Sequence, residues 1–321
     1  MTDAEPLSYY LGIRVDRDDE NISLSQKAYL EDLLVKTNMI DCKPISTPLE
    51  IKISVEELTG ENVEIDEKYP CRSVIGSLMY AMLCTRPDLC YSVCLLSRYQ
   101  SKPSKNLWKL IKRVLRYVKG TLDLKLTYSK YPSCEPITVF IKETTFGRRR
   151  LVKRLLELKT KPIYGYVDAS FATNDATAHS TSGIVIKLFG NLIMWSSRRQ
   201  SIVALSTMIA EFYALCDITR DIMWFRQHVE ILGLKLDAPT SVFEDNLGCI
   251  EIAKNPANCK GMRQLLTKFY FVRDELGHSI TLEHISTSEN VADIFTKSLP
   301  ASRFISLREH LCLRDATRNE K

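Results

Sequence analysis

The stretch Tyr164-Gly165-Tyr166-Val167-Asp168 combines a short apolar run with a carboxylate at its end. The aromatic and β-branched residues predict a β-strand that ends just before Asp168. A carboxylate avoids such apolar surroundings unless it is paired or bound to a cation. This segment therefore predicts the first strand of a sheet and marks Asp168 as a candidate cation ligand.

The pattern downstream of this segment alternates between strands and helices. Four further strands are predicted over Gly183–Leu188, Leu192–Ser196, Val242–Glu244 and Ile280–Ile285. Apolar residues at helical spacing predict a long helix over Ser206–Gly233 and shorter helices that begin at Gly248 and Asn290. Strands mixed with helices on their faces form an α/β layer domain, so we expect a mixed five-stranded sheet with flanking helices.

The residues before Pro162 predict a different, mostly helical domain. Short strands are predicted over Tyr9–Val15 and Ile22–Leu24. Helices are predicted over Gln26–Lys36, Arg72–Met82, Asp88–Tyr99 and Lys105–Val118. We therefore divide the chain into a helical domain at 1–130, a linker at 131–161, an α/β domain at 162–315 and a tail at 316–321.

The linker is basic, since it contains Arg148-Arg149-Arg150 followed by further lysines and arginines. A charge run of this kind is either a solvated face or a nucleic-acid contact. The whole chain has 44 basic and 39 acidic residues, which gives a net charge of +5. This mild surplus is compatible with nucleic-acid binding but does not require it.

Composition bounds the compartment and the class of protein. The 321 residues are 45% hydrophobic and 26% charged, which is typical of a globular protein. The ten cysteines include no Cys-x-x-Cys pair, so we expect reduced thiols rather than a disulfide framework or a zinc site. We find no signal peptide and no run of roughly 18 apolar residues. These features predict a cytoplasmic or nuclear protein that is neither secreted nor bound to a membrane.

Four acidic residues stand at the ends of apolar elements or on apolar stripes: Asp168, Glu211, Asp245 and Asp293. Taken singly, each is more often a turn, cap or helix-favouring residue. Four converging carboxylates would repel each other, and Mg²⁺ or Mn²⁺ relieves that repulsion because both ions prefer oxygen ligands. Two such ions a few ångströms apart can promote the hydrolysis of a phosphodiester.

Ordered motifs along the chain resemble one known family. They include Tyr10-Leu11-Gly12-Ile13, Ser46-Thr47-Pro48-Leu49, Ile75-Gly76-Ser77-Leu78-Met79-Tyr80 and Thr85-Arg86-Pro87-Asp88. Over nearly its whole length the chain resembles the C-terminal part of the Pol polyprotein of copia-type retrotransposons. The resemblance implies a reverse-transcriptase thumb or connection segment followed by an RNase H-like domain.

The resemblance also implies an activity. Asp168, Glu211, Asp245 and Asp293 match the family's four carboxylates, which hold two Mg²⁺ or Mn²⁺ ions and cleave the RNA strand of an RNA–DNA hybrid during reverse transcription. Six residues are candidates for contact with the nucleic acid: Arg198, Arg199, Gln200, Asn246, Lys260 and Arg263. Arg198 and Arg199 either contact phosphates or lie in a solvated turn.

Two departures from the family pattern leave a second reading open. The chain has no Tyr-x-Asp-Asp motif, so we expect no DNA synthesis by this chain alone. After Asn255-Pro256 the family has a His-Ile-Asp core, whereas this chain has Gln264 and Leu266 at the His and Asp positions. The alternative is therefore an inactive remnant that binds nucleic acid or protein at most. Expected partners are the RNA–DNA hybrid and either the missing polymerase palm or other Pol and Gag products. The expected compartment is a virus-like particle in the cytoplasm or the nucleus.

Overall fold

The computed structural model describes residues 7–51, 53, 58, 64–130, 162–171, 178–234, 236–255 and 265–315. These residues form two compact units. The first unit contains the described residues of 7–130 together with 297–315, and the second contains those of 162–296. No helix among the described residues is both long enough and apolar enough to cross a membrane.

The described residues form ten strands and eight α-helices. The strands are β1 (Tyr9–Tyr10), β2 (Ile13–Arg17), β3 (Asn21–Ser25), β4 (Leu124–Ser129), β5 (Ile163–Ser170), β6 (Thr181–Leu188), β7 (Asn191–Arg199), β8 (Thr240–Glu244), β9 (Ile280–His284) and β10 (Leu313–Asp315). The helices are α1 (Lys27–Lys36), α2 (Cys71–Cys84), α3 (Cys90–Ser97), α4 (Lys105–Lys119), α5 (Thr207–Ile231), α6 (Leu247–Lys254), α7 (Leu266–Glu275) and α8 (Ala301–Glu309). Two 3₁₀ helices, Pro87–Leu89 and Val291–Phe295, complete the set.

The first unit is built on an antiparallel sheet in the order β1-β2-β3-β4-β10. The helices α2, α3 and α4 contact one another beside it. Helix α4 is strongly amphipathic and begins at Ser104, whose hydroxyl accepts the Leu107 N–H at 3.2 Å and so caps the first turn. Its buried stripe includes Leu107, Ile111 and Val114, which are fully buried.

The C-terminal segment belongs to the first unit, which differs from the predicted boundary. The sequence pattern assigned residues 162–315 to one α/β domain. In the structure that unit ends at Thr296, and α8 and β10 pack in the first unit. Leu313 pairs with Leu126 of β4, so the first sheet is completed by residues from the far end of the chain. The tail at 316–321 and the linker at 131–161 lie outside the described residues.

The second unit contains the predicted mixed five-stranded sheet, in the order β7-β6-β5-β8-β9. The pairs β5–β6 and β6–β7 are antiparallel, whereas β5–β8 and β8–β9 are parallel. Most predicted elements appear with shifted ends, and β7 continues to Arg199 rather than ending at Ser196. Helix α7 was not predicted.

Other residues approach Gly165 and Gly183 closely, and these contacts show which element covers each face of this sheet. A Cβ on Gly165 would lie 2.8 Å from Ile218 of α5, so this helix packs tightly on one face of β5. A Cβ on Gly183 would lie 2.6 Å from Thr296 Cγ2 and 2.7 Å from the Ala292 carbonyl oxygen. The 3₁₀ helix Val291–Phe295 therefore covers the other face, at the register position of Asp168.

Candidate metal-dependent active site

Three of the four predicted carboxylates meet at one end of the second sheet. One oxygen each from Asp168, Glu211 and Asp245 can be chosen so that all three lie within 4.8 Å of one another. The sheet brings the two aspartates together, because β5 and β8 are parallel neighbours in which Tyr166 lies beside Phe243. Asp168 follows Tyr166 by two residues, and Asp245 follows Phe243 by two residues. Helix α5, packed against β5, brings Glu211 to the same place.

Asp168 is almost fully buried, with 3% of its surface exposed. Its Oδ2 accepts a short hydrogen bond from the Thr296 hydroxyl. The Thr296 hydroxyl also lies 3.2 Å from the Asp293 carbonyl oxygen, which ties the end of the 3₁₀ helix to Asp168. Thr296 therefore orients the Asp168 carboxylate from the face opposite α5.

Glu211 lies in the apolar environment of α5 and is 6% exposed. Burial raises the pKa of its carboxyl well above the ordinary value, and the charges of Glu244, Asp168 and Asp245 raise it further. The backbone N–H of Ala169 donates to this carboxylate and acts in the opposite direction. Among the described residues, its Oε2 is a buried oxygen that has no hydrogen-bond partner.

Asp293 is fully buried in the 3₁₀ helix, but it is not a member of the 4.8 Å group among the described residues. Asn290 fixes this helix to the sheet, since its Nδ2 donates to the Val167 carbonyl oxygen at 2.8 Å and its Oδ1 accepts the Ala292 N–H at 3.1 Å. The main chain of Asp293 is therefore linked to Asp168 through the Thr296 hydroxyl.

The two predicted arginines lie on β7 rather than in a turn. Arg198 and Arg199 are both exposed. Arg198 Nη2 lies 3.2 Å from an oxygen of Asp221 on α5, and Arg199 Nη2 lies 2.9 Å from the Nδ1 of His179. Contact of these arginines with phosphates stays a prediction, and the carboxylate of Asp221 reduces the charge that Arg198 presents.

Two other predicted nucleic-acid contacts have structural hydrogen bonds. Gln200 is 2% exposed, and its amide donates to the Ser182 hydroxyl and to the Ala210 carbonyl oxygen at 2.9 and 2.8 Å. Asn246 caps α6 by accepting the Cys249 N–H at 3.0 Å. Gln200 therefore positions the turn of α5 that carries Glu211, and Asn246 positions the helix that follows Asp245.

The two remaining predicted nucleic-acid contacts, Lys260 and Arg263, lie outside the described residues. Most of the altered stretch 259–268 also lies outside them. His284 is exposed at the end of β9.

Sequence reasoning missed three residues that shape the site: Glu244, Thr296 and Gly183. Glu244 is completely buried at the end of β8, directly before Asp245. Burial raises its pKa well above the ordinary value, against the hydrogen bond from the Asn246 N–H, which lowers it. A buried carboxylate that ends an apolar strand was the available signal, and it is the same signal that marked Asp168.

The donor set fits a hard divalent cation. It consists of carboxylate oxygens only, which Mg²⁺ and Mn²⁺ prefer. The buried Oε2 of Glu211, which has no hydrogen-bond partner in the described part of the chain, is an acceptor that a cation would satisfy. Asp168, Glu211 and Asp245 are the residues that would hold the ion.

Two curated relatives align with nearly the whole chain. The retrovirus-related Pol polyprotein from transposon RE2 of Arabidopsis thaliana is 30% identical over 301 residues, which cover 94% of this chain and 19% of that polyprotein. The one from transposon TNT 1-94 of Nicotiana tabacum is 31% identical over 316 residues, which cover 96% of this chain and 22% of that polyprotein. This chain belongs to the copia-type retrovirus-related Pol polyproteins. It spans about a fifth of the length of these relatives.

No protein-family model matches this Pol chain. Among solved structures, LC11-RNase H1 isolated from compost shares 21% sequence identity at a TM-score of 0.34, covering 43% of this chain and 94% of that chain. The second unit of the Pol chain has an RNase H-like fold: three antiparallel strands continue into two parallel strands, with helices on the faces.

Proposed function

We propose that the second unit is a divalent-cation-dependent ribonuclease that cleaves the RNA strand of RNA–DNA hybrids. The observation that carries the proposal is the convergence of Asp168, Glu211 and Asp245 within 4.8 Å. Three carboxylates at that separation, two of them almost fully buried, are unfavourable without a cation. Membership of the Pol polyproteins supports the choice of substrate, because reverse transcription produces such hybrids.

The residues of the chain have separable roles in this proposal. Two divalent ions at such a site supply activation of a water molecule and stabilisation of the leaving oxygen. Asp168, Glu211 and Asp245 present the negative charge that holds cations at the edge of the sheet. The Thr296 hydroxyl and the Ala169 N–H orient two of these carboxylates before substrate arrives. Asp293 stands one hydrogen-bonded residue away, at the position that we propose for the fourth carboxylate.

The wider context of the activity is proposed from the length of the relatives. Because the chain spans about a fifth of the Pol polyproteins, we propose that it acts together with other Pol segments, including the polymerase palm. We propose that it acts either in a virus-like particle in the cytoplasm or in the nucleus.

The test is cleavage of an end-labelled RNA–DNA hybrid by the full chain in Mg²⁺ and in Mn²⁺. We expect cleavage that disappears in chelator and falls roughly 100-fold or more in Asp245→Asn, because metal-ion stabilisation contributes several kcal/mol to such reactions. Asp237→Asn is the matched control, since Asp237 is exposed and precedes β8, whereas Asp245 follows it. Equal rates in the Asp245 and Asp237 variants would contradict the assignment.

A second function, hybrid binding without cleavage, is favoured by one observation. Asp293 is not a member of the 4.8 Å group among the described residues, so the ligand set for a second ion is not assembled there. Under this alternative the folded chain would bind the hybrid in a filter assay and leave it intact in either metal. Cleavage above the level of the Asp245→Asn variant would reject it.

A further inference from the structure

Glu244 is a buried carboxylate next to Asp245 in sequence and, like Asp293, is not a member of the 4.8 Å group among the described residues. It ends β8, none of its surface is exposed, and it directly precedes Asp245. Its Oε1 accepts the Asn246 N–H at 3.0 Å, which fixes the orientation of the carboxylate. Among the described residues, its Oε2 is buried and has no hydrogen-bond partner.

The pleat of β8 directs this side chain toward the helix that carries Glu211. Tyr166 and Phe243 stack at 5.1 Å on one face of the sheet. Val242 points to the opposite face, where it joins the core cluster that contains Phe212 and Ile218 of α5. Glu244 follows Val242 by two residues and therefore lies on the same face.

Glu211 and Glu244 are consequently two buried carboxylates on the same face of the sheet. The charge of Glu244 is among those that raise the pKa of Glu211. Each of the two glutamates has one buried oxygen that lacks a partner within the described structure. A cation between these two side chains would satisfy both oxygens and would favour the charged carboxylates, which burial alone disfavours.

We propose that Glu244 is a further cation ligand, which contributes its Oε2 on the Glu211 side of the group formed by Asp168, Glu211 and Asp245. The inference rests on the proposed cation site and extends its ligand set onto the face of the sheet that α5 covers. Asn246 then has two functions, since its backbone N–H holds Glu244 and its side chain caps α6. An isosteric amide at position 244 would keep the shape of the side chain and remove the charge.

The experiment is Mn²⁺ titration of the full chain, with free Mn²⁺ followed by electron paramagnetic resonance. We expect Glu244→Gln to weaken Mn²⁺ binding by about 10- to 100-fold, the range found when a residue that supports a metal site is removed. Glu251→Gln is the matched control, because Glu251 is exposed on the adjacent α6. Mn²⁺ affinity in Glu244→Gln equal to that of the control would overturn the proposal.

Folding and the parent proposal are tested separately. In chelator, Glu244→Gln is expected to melt no lower than wild type, because the substitution removes a buried charge. If that variant does not fold, Glu244→Asp decides: it withdraws the oxygen by one methylene, so unchanged Mn²⁺ affinity would count against Glu244.

Asp168→Asn tests the parent site. If wild type and Asp168→Asn bind Mn²⁺ equally, the proposed function fails together with this inference; if only Glu244→Gln matches wild type, the inference alone fails.

Discussion

Asp88 is a buried carboxylate of the first unit that is held by several hydrogen bonds. It is fully buried and receives two hydrogen bonds from Arg86, at 2.9 and 2.8 Å, and one from the Tyr117 hydroxyl at 2.6 Å. Arg308 of α8 donates to the Tyr117 hydroxyl at 3.0 Å. Arg86 also donates to Thr121, but among these partners only the Asp88 carboxylate supplies a negative charge.

Replacing Asp88 by Asn is expected to destabilise the first unit by about 3–5 kcal/mol, because it leaves the buried Arg86 without its counter-charge. Urea unfolding, read by hydrogen exchange of peptides from α4, measures the effect. The control is Asp123→Asn, which breaks the half-exposed Lys27–Asp123 pair and should cost less than about 1 kcal/mol. Similar losses in the two variants would contradict the role of the buried pair.

The pKa of the Asp88 carboxylate predicts how the stability of the first unit depends on pH in acid. Burial alone would raise the pKa of Asp88, but Arg86, the Tyr117 hydroxyl and Arg308 together outweigh burial and hold the pKa below its ordinary value of 3.8. A carboxylate whose pKa is lower in the folded state contributes stability above its unfolded pKa and loses it as the pH falls through the folded value. We therefore expect the cost of Asp88→Asn to shrink below pH 3.8.

At the scale of the element, the C-terminal segment decides how the first unit is completed. Phe304 of α8 is 5% exposed and packs edge-on against Tyr117, with ring centroids 5.6 Å apart. The strand β10 then adds to the edge of the sheet beside β4. A segment that follows the second unit in sequence is therefore part of the core of the first.

Phe304→Ala is expected to destabilise the first unit by about 3–5 kcal/mol, as for other buried aromatic truncations. The measurement is hydrogen exchange of β4 peptides, whose partner strand β10 should be released. Leu83→Ala, at a residue 63% exposed on α2, is the control and should leave exchange unchanged. Unchanged protection of β4 in Phe304→Ala would show that the segment is peripheral.

The elements also show what a sequence pattern contains and what it omits. The five strands of the second sheet were predictable, because each is an apolar run bounded by turn residues. The strand β10 was not predictable. A strand of three residues carries no periodic signal, and its partner strand β4 lies far upstream in the sequence. Asp168, Glu211 and Asp245 were recognisable from the apolar runs that contain or precede them. Glu244 ends a similar apolar run and could have been recognised in the same way. Gly183 could not, because its importance appears only once a helix is placed against that face of the sheet.

At the scale of the whole molecule, the charge is nearly balanced, so its distribution matters more than its sum. The net charge is +5 from 44 basic and 39 acidic residues. A change of one charge is small in relation to the 44 basic and 39 acidic residues of the chain. If a polyanion docks along β7, the same change should matter only where it alters the field near Arg198 and Arg199.

Two variants test this by raising the net charge from +5 to +6 at different places. Asp221→Asn removes the carboxylate that lies 3.2 Å from Arg198, whereas Asp237→Asn removes an exposed one before β8. We expect the first to strengthen binding of an RNA–DNA hybrid and the second to leave it nearly unchanged. Arg199→Gln should lower the slope of log affinity against log salt by about 0.7–0.9, the value for one phosphate contact. Fluorescence anisotropy across a salt series measures all three. Equal gains in the two aspartate variants would mean that only net charge matters and that the hybrid does not dock along β7.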